Sequence, residues 1–216
     1  MKKHKNGAPT YSDLFLKISL IILYIFASVP LRLIYRPNII SNHEAFSQIK
    51  QGTLIVSNHQ SRVDPFIILM SMPLRTWLRI LPVRFPTSHE VFTNKNYNPS
   101  FFPVLKFWGC FSIGSTSEEK MRAVFYIRDL LKKRKTLMLF PEGRINKDTN
   151  IGDIMGGITL SAPHASSILF VRLRGFNNPM WSTSKRSITY GEVIHSPKNL
   201  SKDDILKLIN EPFVRP

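Results

Sequence analysis

Four short apolar runs, rich in β-branched or aromatic residues, constrain the fold of this chain more than any other feature. They are TLIVSN at 53–58, TLMLF at 136–140, SILFVRL at 167–173 and SITYGEV at 187–193. Runs of this length and composition indicate buried strands, and a continuously apolar run indicates a strand covered on both faces. Because such strands alternate with helices, the sequence predicts an α/β fold with a mostly parallel, mixed sheet flanked by helices.

The stretch STSEEKMRAVFYIRDLLKKRK, residues 115–135, predicts a helix between the first two of these strands. Ser115 and Glu118 have the spacing of a capping box, and lysines gather where the helix ends, at its negative pole. The residues expected on its buried face are Met121, Val124, Ile127 and Leu131. No element is predicted for 85–114, which is rich in Pro, Asn and Phe.

The N-terminal region contains the apolar run LFLKISLIILYIFASVPLRLIY at 14–35, after a basic start. This run approaches the roughly 20 apolar residues that a spanning helix needs, and Lys17 can extend its ammonium group towards the membrane surface. We therefore interpret residues 1–36 as a membrane-anchoring segment and residues 37–216 as one catalytic or binding domain. Cations on both flanks fit a helix embedded in one leaflet as well as one that spans.

Two other interpretations of this N-terminal run stay open. A signal peptide would share the basic start, formed by Lys2, Lys3 and Lys5, but no convincing A-x-A cleavage site follows. A buried core helix would have the same apolar character, but it explains the basic flanks poorly. Membrane attachment is the interpretation that accounts for both features.

The net charge of +16 among 216 residues implies an anionic partner, such as anionic lipid, a polyanionic substrate or nucleic acid. No stripe of cations and aromatic residues and no nucleic-acid signature is present, so we expect no nucleic acid. The dense run KKRK at 132–135 fits the solvated end of a helix better than a localisation signal. The one cysteine, Cys110, cannot form an internal disulfide, and its apolar neighbours favour a buried hydrophobe in a reducing compartment.

Ionisable residues follow two of the predicted strands at the point where each strand ends. His59 and Asp64 follow TLIVSN, and Glu142, Gly143 and Arg144 follow TLMLF. If the two strands are parallel neighbours, these residues lie on one rim of the sheet, where α/β proteins form their sites. The rim would then hold a base, its carboxylate, a second carboxylate and an arginine.

Each of these residues also has an ordinary interpretation. Asp64 precedes Pro65 and can cap the following helix, His59 can be a satisfied histidine at a strand end, and Glu142 and Gly143 can form a turn. The full set on two strand ends favours a catalytic site. The remaining histidines have no such neighbours; they are His4, His43, His89, His164 and His195.

Two motifs now carry a resemblance to a known family. NHQSRVD at 58–64 resembles the NHxSxxD motif of glycerolipid acyltransferases, and FPEGR at 140–144 resembles their FPEG motif. ILFVRLRG at 168–175 is similar to a later strand that often reads VPVxIxG in this family. The resemblance covers roughly residues 50–176 and is best to the 1-acylglycerol-3-phosphate acyltransferases, so it implies their fold, with 37–216 as the acyltransferase domain.

The chain also departs from the family pattern. A segment resembling G-x-x-F-I-D-R usually lies between the two motifs, and its arginine helps to bind phosphate. Here GCFSIGS at 109–115 lacks both charged residues. FPEGRI at 140–145 is similar to the branch that includes 2-acylglycerophosphoethanolamine acyltransferase, so the head group of the acceptor stays open.

Acyl transfer from a thioester to an alcohol needs a base with a pKa near neutrality, which suits His59, while Asp64 would orient and stabilise its imidazolium. No G-x-S-x-G motif is present, so we expect direct transfer without an acyl-enzyme. Glu142 would accept a hydrogen bond from a glycerol hydroxyl, beside Gly143, and the planar fork of Arg144 suits phosphate. The resemblance implies the same roles.

Arg62, inside the first motif, would help to bind the acceptor or would simply be a solvated loop residue. No metal-ligand cluster and no Walker-type glycine loop is visible, so we expect neither metal nor cofactor. The donor would be acyl-CoA or an acyl-carrier protein, the acceptor a lysophospholipid, and the other partner membrane lipid.

The sequence thus predicts a membrane-associated acyltransferase of phospholipid biosynthesis, at the inner or cytoplasmic membrane with its catalytic domain on the cytoplasmic side. Its acceptor would be 1-acylglycerol-3-phosphate or another lysolipid such as 2-acylglycerophosphoethanolamine. Two alternatives stay open: a hydrolase or transacylase using the same dyad, and a non-enzymatic basic protein that binds membranes or nucleic acid.

Overall fold

The computed structural model describes residues 11–41, 43–93, 105–146, 151, 153–179, 182, 184–198 and 200–211. Its strands are β1 Asn38–Ser41, β2 Thr53–Ser57, β3 Val83–Thr87, β4 Cys110–Ser112, β5 Thr136–Leu139, β6 Ser167–Arg174 and β7 Ser187–His195. Its helices are α1 Asp13–Tyr35, α2 His43–Gln48, α3 Asp64–Ser71, α4 Leu74–Ile80, α5 Glu90–Thr93, α6 Ser117–Lys132, α7 Gly157–Ser161 and α8 Lys202–Asn210, and a 3-10 turn covers Ala162–His164.

The seven strands form one sheet in the order β1-β7-β6-β2-β5-β3-β4. Every neighbouring pair is parallel except β6 and β7, which are antiparallel. The predicted mostly parallel, mixed sheet flanked by helices is therefore confirmed, and the four predicted strands are β2, β5, β6 and β7. Strand β2 is buried along its whole length between β6 and β5, as its continuous apolar character requires.

Side chains on the two faces of the sheet belong to two separate apolar cores. One core contains Ile55 of β2 and packs against helices α1, α3 and α4, with the fully buried Trp77 near its centre. The other contains Leu54 and Val56 of the same strand and packs against α6, α7 and α8. The alternation along β2 follows from the two-residue period of a strand, so the chain forms a three-layer α/β structure.

Helix α6 confirms the predicted helix but corrects its details. Its capping box is formed by Thr116 and Glu119, one residue later than the predicted pair, and the Glu119 carboxylate also accepts bonds from Ser115. The residues buried along it are Ala123, Ile127, Leu130 and Leu131. The prediction for Met121 is wrong, since this side chain is 47% exposed, and Val124 is only half-buried.

The segment 85–114, for which no element was predicted, contains most of β3, then α5 and β4. Strands β3 and β4 pair in parallel at the edge of the sheet, with Phe85 opposite Cys110. Proline at position 86 is tolerated there, because β3 pairs with β5 only through Val83 and Arg84 and has β4 alone as its neighbour at Pro86. Residues 94–104 lie outside the described part of the chain.

Helix α1 buries one side and exposes the other. Ser12 caps its start, and Leu16, Leu20 and Ser28 are buried against the domain. The exposed apolar side chains on its other side are Leu14, Phe15, Ile18, Ile22, Ile25, Phe26, Val29, Leu33 and Ile34. By length and composition alone α1 is apolar enough to cross a membrane, and only 17% of its most apolar window is buried, which argues against a core helix. The predicted basic start before it lies outside the described residues.

Candidate active site

The His59–Asp64 pair lies in the loop that joins β2 to α3, at the carboxyl end of the sheet. Asp64 is completely buried, and its Oδ2 accepts bonds from His59 Nδ1 at 2.9 Å, from the Gln60 N–H at 2.6 Å and from the Ser61 N–H at 2.7 Å. The Ser61 hydroxyl donates to the other oxygen, Oδ1. The loop is thus wrapped around a single carboxylate.

This arrangement rejects the interpretation of Asp64 as a helix cap. Helix α3 begins at Asp64 itself, and its N-cap, Val63, makes no capping bond through its side chain. The carboxylate bonds the residues before the helix rather than the free N–H groups of its first turn. Pro65 at the first turn is the remaining feature of an ordinary helix start.

The bond to Asp64 also determines which nitrogen of His59 is available for chemistry. A carboxylate that already accepts two backbone N–H groups acts as an acceptor towards His59, so Nδ1 carries the proton. Nε2 then keeps its lone pair and is free to act as a base. The imidazole stacks on Phe140 with ring centroids 4.2 Å apart, which fixes its plane, and its side chain is 19% exposed.

The FPEG loop after β5 is bonded directly to the histidine loop. Glu142 is buried and its Oε1 accepts the backbone N–H of His59 at 2.9 Å. The backbone N–H of Asn146 donates to the His59 carbonyl at 2.7 Å. Because β2 and β5 are parallel neighbours, the two motifs share one rim, and His59 is held through its backbone on both sides.

Asn58 and Gln60 hold the same loop from its other side, and sequence reasoning gave them no role. Asn58 exchanges two bonds with the backbone of Leu173 in β6, at 2.9 and 2.7 Å. The Gln60 carbonyl oxygen accepts from the N–H of Phe176 at 3.0 Å. Both amides are buried, and buried amides need hydrogen-bond partners. The amide residues on either side of His59 in the sequence were therefore a signal that this loop is bonded to a neighbouring backbone.

Gly143 is required by the geometry of the FPEG loop. Its φ is +65°, and a Cβ added there would lie 2.4 Å from Met155 Cε. The Met155 N–H donates to the Pro141 carbonyl at 2.8 Å, but its side chain is 48% exposed and can move, so the left-handed φ is the feature that favours glycine. Arg144 follows as an exposed residue on the rim, and Arg62 is exposed on the histidine loop. Their proposed contacts to substrate stay predictions.

The other residues of interest near the motifs have surroundings that indicate a structural role. Burial raises the pKa of the Cys110 thiol to about 12, so it carries no thiolate near neutral pH. Ser115, where the family arginine is missing, bonds Glu119 at the start of α6. Across the described ranges, no three His, Cys, Asp or Glu side chains gather as metal ligands.

The chain is an α/β domain with a His–Asp pair at the carboxyl rim of its sheet, in which the aspartate is buried and the histidine is partly exposed. Comparisons with known proteins identify the family that has this arrangement. A family model described as Acyltransferase matches residues 38–171, more than half of the chain. The chain therefore belongs to the Acyltransferase family and is an O-acyltransferase. No curated protein sequence matches it.

Among solved structures, the chain is similar to the crystal structure of the 1-acyl-sn-glycerophosphate (LPA) acyltransferase PlsC from Thermotoga maritima. The TM-score is 0.54, the sequence identity is 15%, and 91% of each chain is covered. At this identity the similarity shows that the two proteins share a fold. The predicted glycerolipid acyltransferase fold is confirmed.

Proposed function

We propose that this protein transfers a fatty acyl group from an acyl thioester to the free hydroxyl of a lysophospholipid, with 1-acylglycerol-3-phosphate as the main acceptor. The observation that carries the proposal is the 2.9 Å bond between His59 Nδ1 and buried Asp64, on a rim shared with the FPEG loop. The PlsC neighbour, a 1-acyl-sn-glycerophosphate acyltransferase, supports the class of acceptor.

The chemistry follows from the free Nε2 of His59. Nε2 takes the proton of the acceptor hydroxyl while the hydroxyl oxygen attacks the thioester carbonyl carbon. The buried Asp64 carboxylate stabilises the imidazolium that forms. The tetrahedral intermediate then collapses, the C–S bond breaks, and the leaving thiolate takes the proton back from Nε2. The products are an ester and a free thiol, which is acyl transfer without an acyl-enzyme.

Three further residues would position the acceptor. Arg144 offers a planar pair of donors to the phosphate, and Arg62 would assist from the opposite loop. Glu142 uses Oε1 to hold the His59 backbone, so a bond to a glycerol hydroxyl would fall to its second oxygen. Gly143 supports this contact by letting the loop turn close to Met155.

One observation favours a second acceptor. The position of the missing family arginine is occupied by Ser115, which contributes to the start of α6 rather than to phosphate binding. The absence of one phosphate contact should reduce the affinity for a phosphomonoester acceptor more than the affinity for a phosphodiester acceptor such as 2-acylglycerophosphoethanolamine. We therefore include it as the alternative acceptor.

The geometry of α1 supports attachment to one leaflet of a membrane. Asp13 at its start is paired with Arg84 and Lys135, and Arg32 near its end donates to the carbonyls of Met70 and Met72. A helix held at both ends by the same domain lies along that domain, so it would enter the membrane by its exposed apolar side. We propose that 1–36 is the anchor, 37–216 the catalytic domain, and the cytoplasmic face the place of catalysis.

Purified full-length protein in detergent, offered labelled acyl-CoA or acyl-carrier protein and a panel of lysolipids, tests the proposal. We expect transfer to 1-acylglycerol-3-phosphate first and to 2-acylglycerophosphoethanolamine second, and no transfer with His59→Ala. Acyl release to water without an acceptor would instead identify a hydrolase, and acyl exchange without a thioester a transacylase. Absence of all of these with salt-sensitive binding to polyanions would identify a binding protein.

A further inference from the structure

A cavity of about 150 Å³ lies at the amino end of the sheet, far from the catalytic rim. Its wall includes Thr136, the first residue of β5, whereas the FPEG loop follows the last residue of that strand. Four strand residues at roughly 3.3 Å each separate the two sites by about 13 Å. Nothing in acyl transfer at His59 uses this cavity.

The cavity is cationic. Its wall carries the three cations Lys17, Arg134 and Lys135 against the single carboxylate of Asp13. That carboxylate is already occupied, because it is paired with Lys135 through one oxygen and with buried Arg84 through the other. The charge of Lys17 and Arg134 is therefore left for an anion.

Two buried polar atoms at this place also lack an acceptor or donor within the described residues. They are Thr136 Oγ1, on a residue only 1% exposed that lines the cavity, and Arg84 Nη1, on a residue behind the wall that pairs with Asp13 through its other terminal nitrogen. A buried polar group without a partner is costly, and an unseen ion or water is a common reason for it. Both atoms can donate a hydrogen bond, which again fits an anion with several oxygens.

The position of Arg134 adds to this observation. It follows α6 with a φ of +55°, a conformation that glycine adopts at lower cost. The N–H groups of Arg134 and Lys135 donate to the carbonyls of Leu131 and Leu130 at 2.8 and 2.9 Å, which is an ordinary way for a helix to end. This turn places Arg134 on the wall of the cavity.

The cavity opens beside the apolar face of α1. Leu14, which is 69% exposed, forms part of its wall and begins the row of exposed side chains that continues through Ile18 and Ile22. A free phosphate would use only the cations of this site. A phospholipid would use both features, with its phosphate in the cavity and its acyl chains along α1.

We propose that this cavity binds the phosphate group of an anionic phospholipid and so fixes the protein on anionic membranes. The proposal rests on the membrane association proposed above and not on the acyl-transfer step. It assigns Lys17 and Arg134 as ligands and Thr136 as the buried donor. The ligand is a lipid of the surrounding membrane, separate from the acceptor at the catalytic rim.

Binding of the full-length protein to vesicles tests the site. Vesicles of phosphatidylcholine alone and of phosphatidylcholine mixed with phosphatidic acid are compared by flotation for the wild type and for Lys17→Ala/Arg134→Gly. Glycine suits the backbone of position 134, so this variant is expected to fold. Lys120→Ala/Lys207→Ala removes the same charge from exposed residues of α6 and α8 and is the matched control.

We expect the cavity variant to lose about tenfold or more in affinity for the anionic vesicles, as loss of charge-assisted bonds predicts, while the control changes much less. Affinity for pure phosphatidylcholine and acyl transfer in detergent should stay unchanged in both variants. Equal weakening in the two variants would show attraction by diffuse charge and would overturn the proposal, as would an equal loss on neutral vesicles.

Inorganic phosphate distinguishes the two possible sources of the anion. If it raises the Tm of the wild type but not of the cavity variant, while both bind anionic vesicles alike, the site takes free phosphate and the lipid assignment is wrong. Acyl transfer is measured separately, so a failure of the proposed function and a failure of this site give different results.

Discussion

The catalytic rim and helix α1 are held to the domain in different ways. At the rim, Asp64 bonds His59, Gln60 and Ser61, all within five residues of it along the chain. At α1, the contacts of Asp13 and Arg32 reach residues that lie 38 to 122 positions away. The His59–Asp64 pair is therefore a local structure that a short motif encodes, although its loop is also bonded to Glu142 and Leu173. Helix α1 instead depends on a few distant contacts and on one apolar face.

This difference has a physical consequence for variants. Changes at the rim should affect chemistry with little effect on membrane binding, and changes on α1 should do the reverse. We expect the largest effect at the catalytic base, smaller effects on α1 and at Arg144, and the smallest effect at an exposed helix start outside both regions.

His59→Ala should reduce turnover by about 10²–10⁴-fold, the usual contribution of a positioned base, while folding and membrane binding stay intact. Asp64→Asn should also cost heavily, because the histidine loses the carboxylate that stabilises its imidazolium. Steady-state kinetics with a labelled thioester and circular dichroism measure the two properties. His195→Ala, in an exposed histidine of β7, is the control. Near-normal turnover of His59→Ala would contradict the proposed base.

The two sides of α1 should respond differently when a large apolar side chain is replaced by a small one. Leu20 is 1% exposed, so Leu20→Ala should lower the free energy of unfolding by about 2–5 kcal/mol. Ile22 is 51% exposed, so Ile22→Ser should change stability by less than about 0.5 kcal/mol but weaken membrane partition. Chemical denaturation in detergent and vesicle flotation measure these effects. Release of the wild type from membranes by high salt alone would show that the exposed face is not embedded.

Arg144→Ala should raise the acceptor KM by more than about tenfold, since loss of a charge-assisted bond costs about 1.5–3 kcal/mol. The donor KM should hardly change, and Arg144→Lys should recover only part, because an ammonium group cannot offer the planar fork. Arg122→Ala, which removes an exposed ion pair on α6, serves as the control. An unchanged acceptor KM with a raised donor KM would place Arg144 in the thioester site instead.

The smallest effect concerns the start of α6. Backbone N–H bonds from Ser115 and Thr116 lower the pKa of Glu119 to about 2. A lowered pKa means that this carboxylate stabilises the fold above its ordinary pKa of about 4.3 and that the contribution is lost as the pH falls through about 2. Glu119→Gln should therefore show a weaker acid dependence of stability than the wild type over this range.

Denaturation midpoints measured from neutral pH to acid test this expectation, with Glu118→Gln as the control. Glu118 lies on the same exposed turn and pairs with Arg122. An identical acid dependence in the wild type and Glu119→Gln would show that the capping bonds contribute nothing measurable. Both outcomes leave the rim unaffected, because Glu119 is not part of it.

Much of the site was accessible from the sequence because its chemistry is local. The motif residues His59 and Asp64 lie in one loop, and two short apolar runs predicted β2 and β5. That these strands are parallel neighbours was a condition of the prediction, which the structure meets. The α6 capping box was placed one residue too early, because Ser115 and Thr116 both carry hydroxyls and each is followed three residues later by a glutamate. Such a choice between equivalent local patterns depends on backbone geometry.

The sequence by itself determined the α/β class, the four main strands, the two motifs and the apolar character of α1, since each depends on periodicity or on residue type within a short stretch. Tertiary structure alone decided that Glu142 holds the His59 backbone, that α1 lies along the domain by one face, and that Lys17 meets Arg134 at a cavity. These features join residues about 40 to 120 positions apart, so their energies depend on the relative positions of elements that no local pattern encodes.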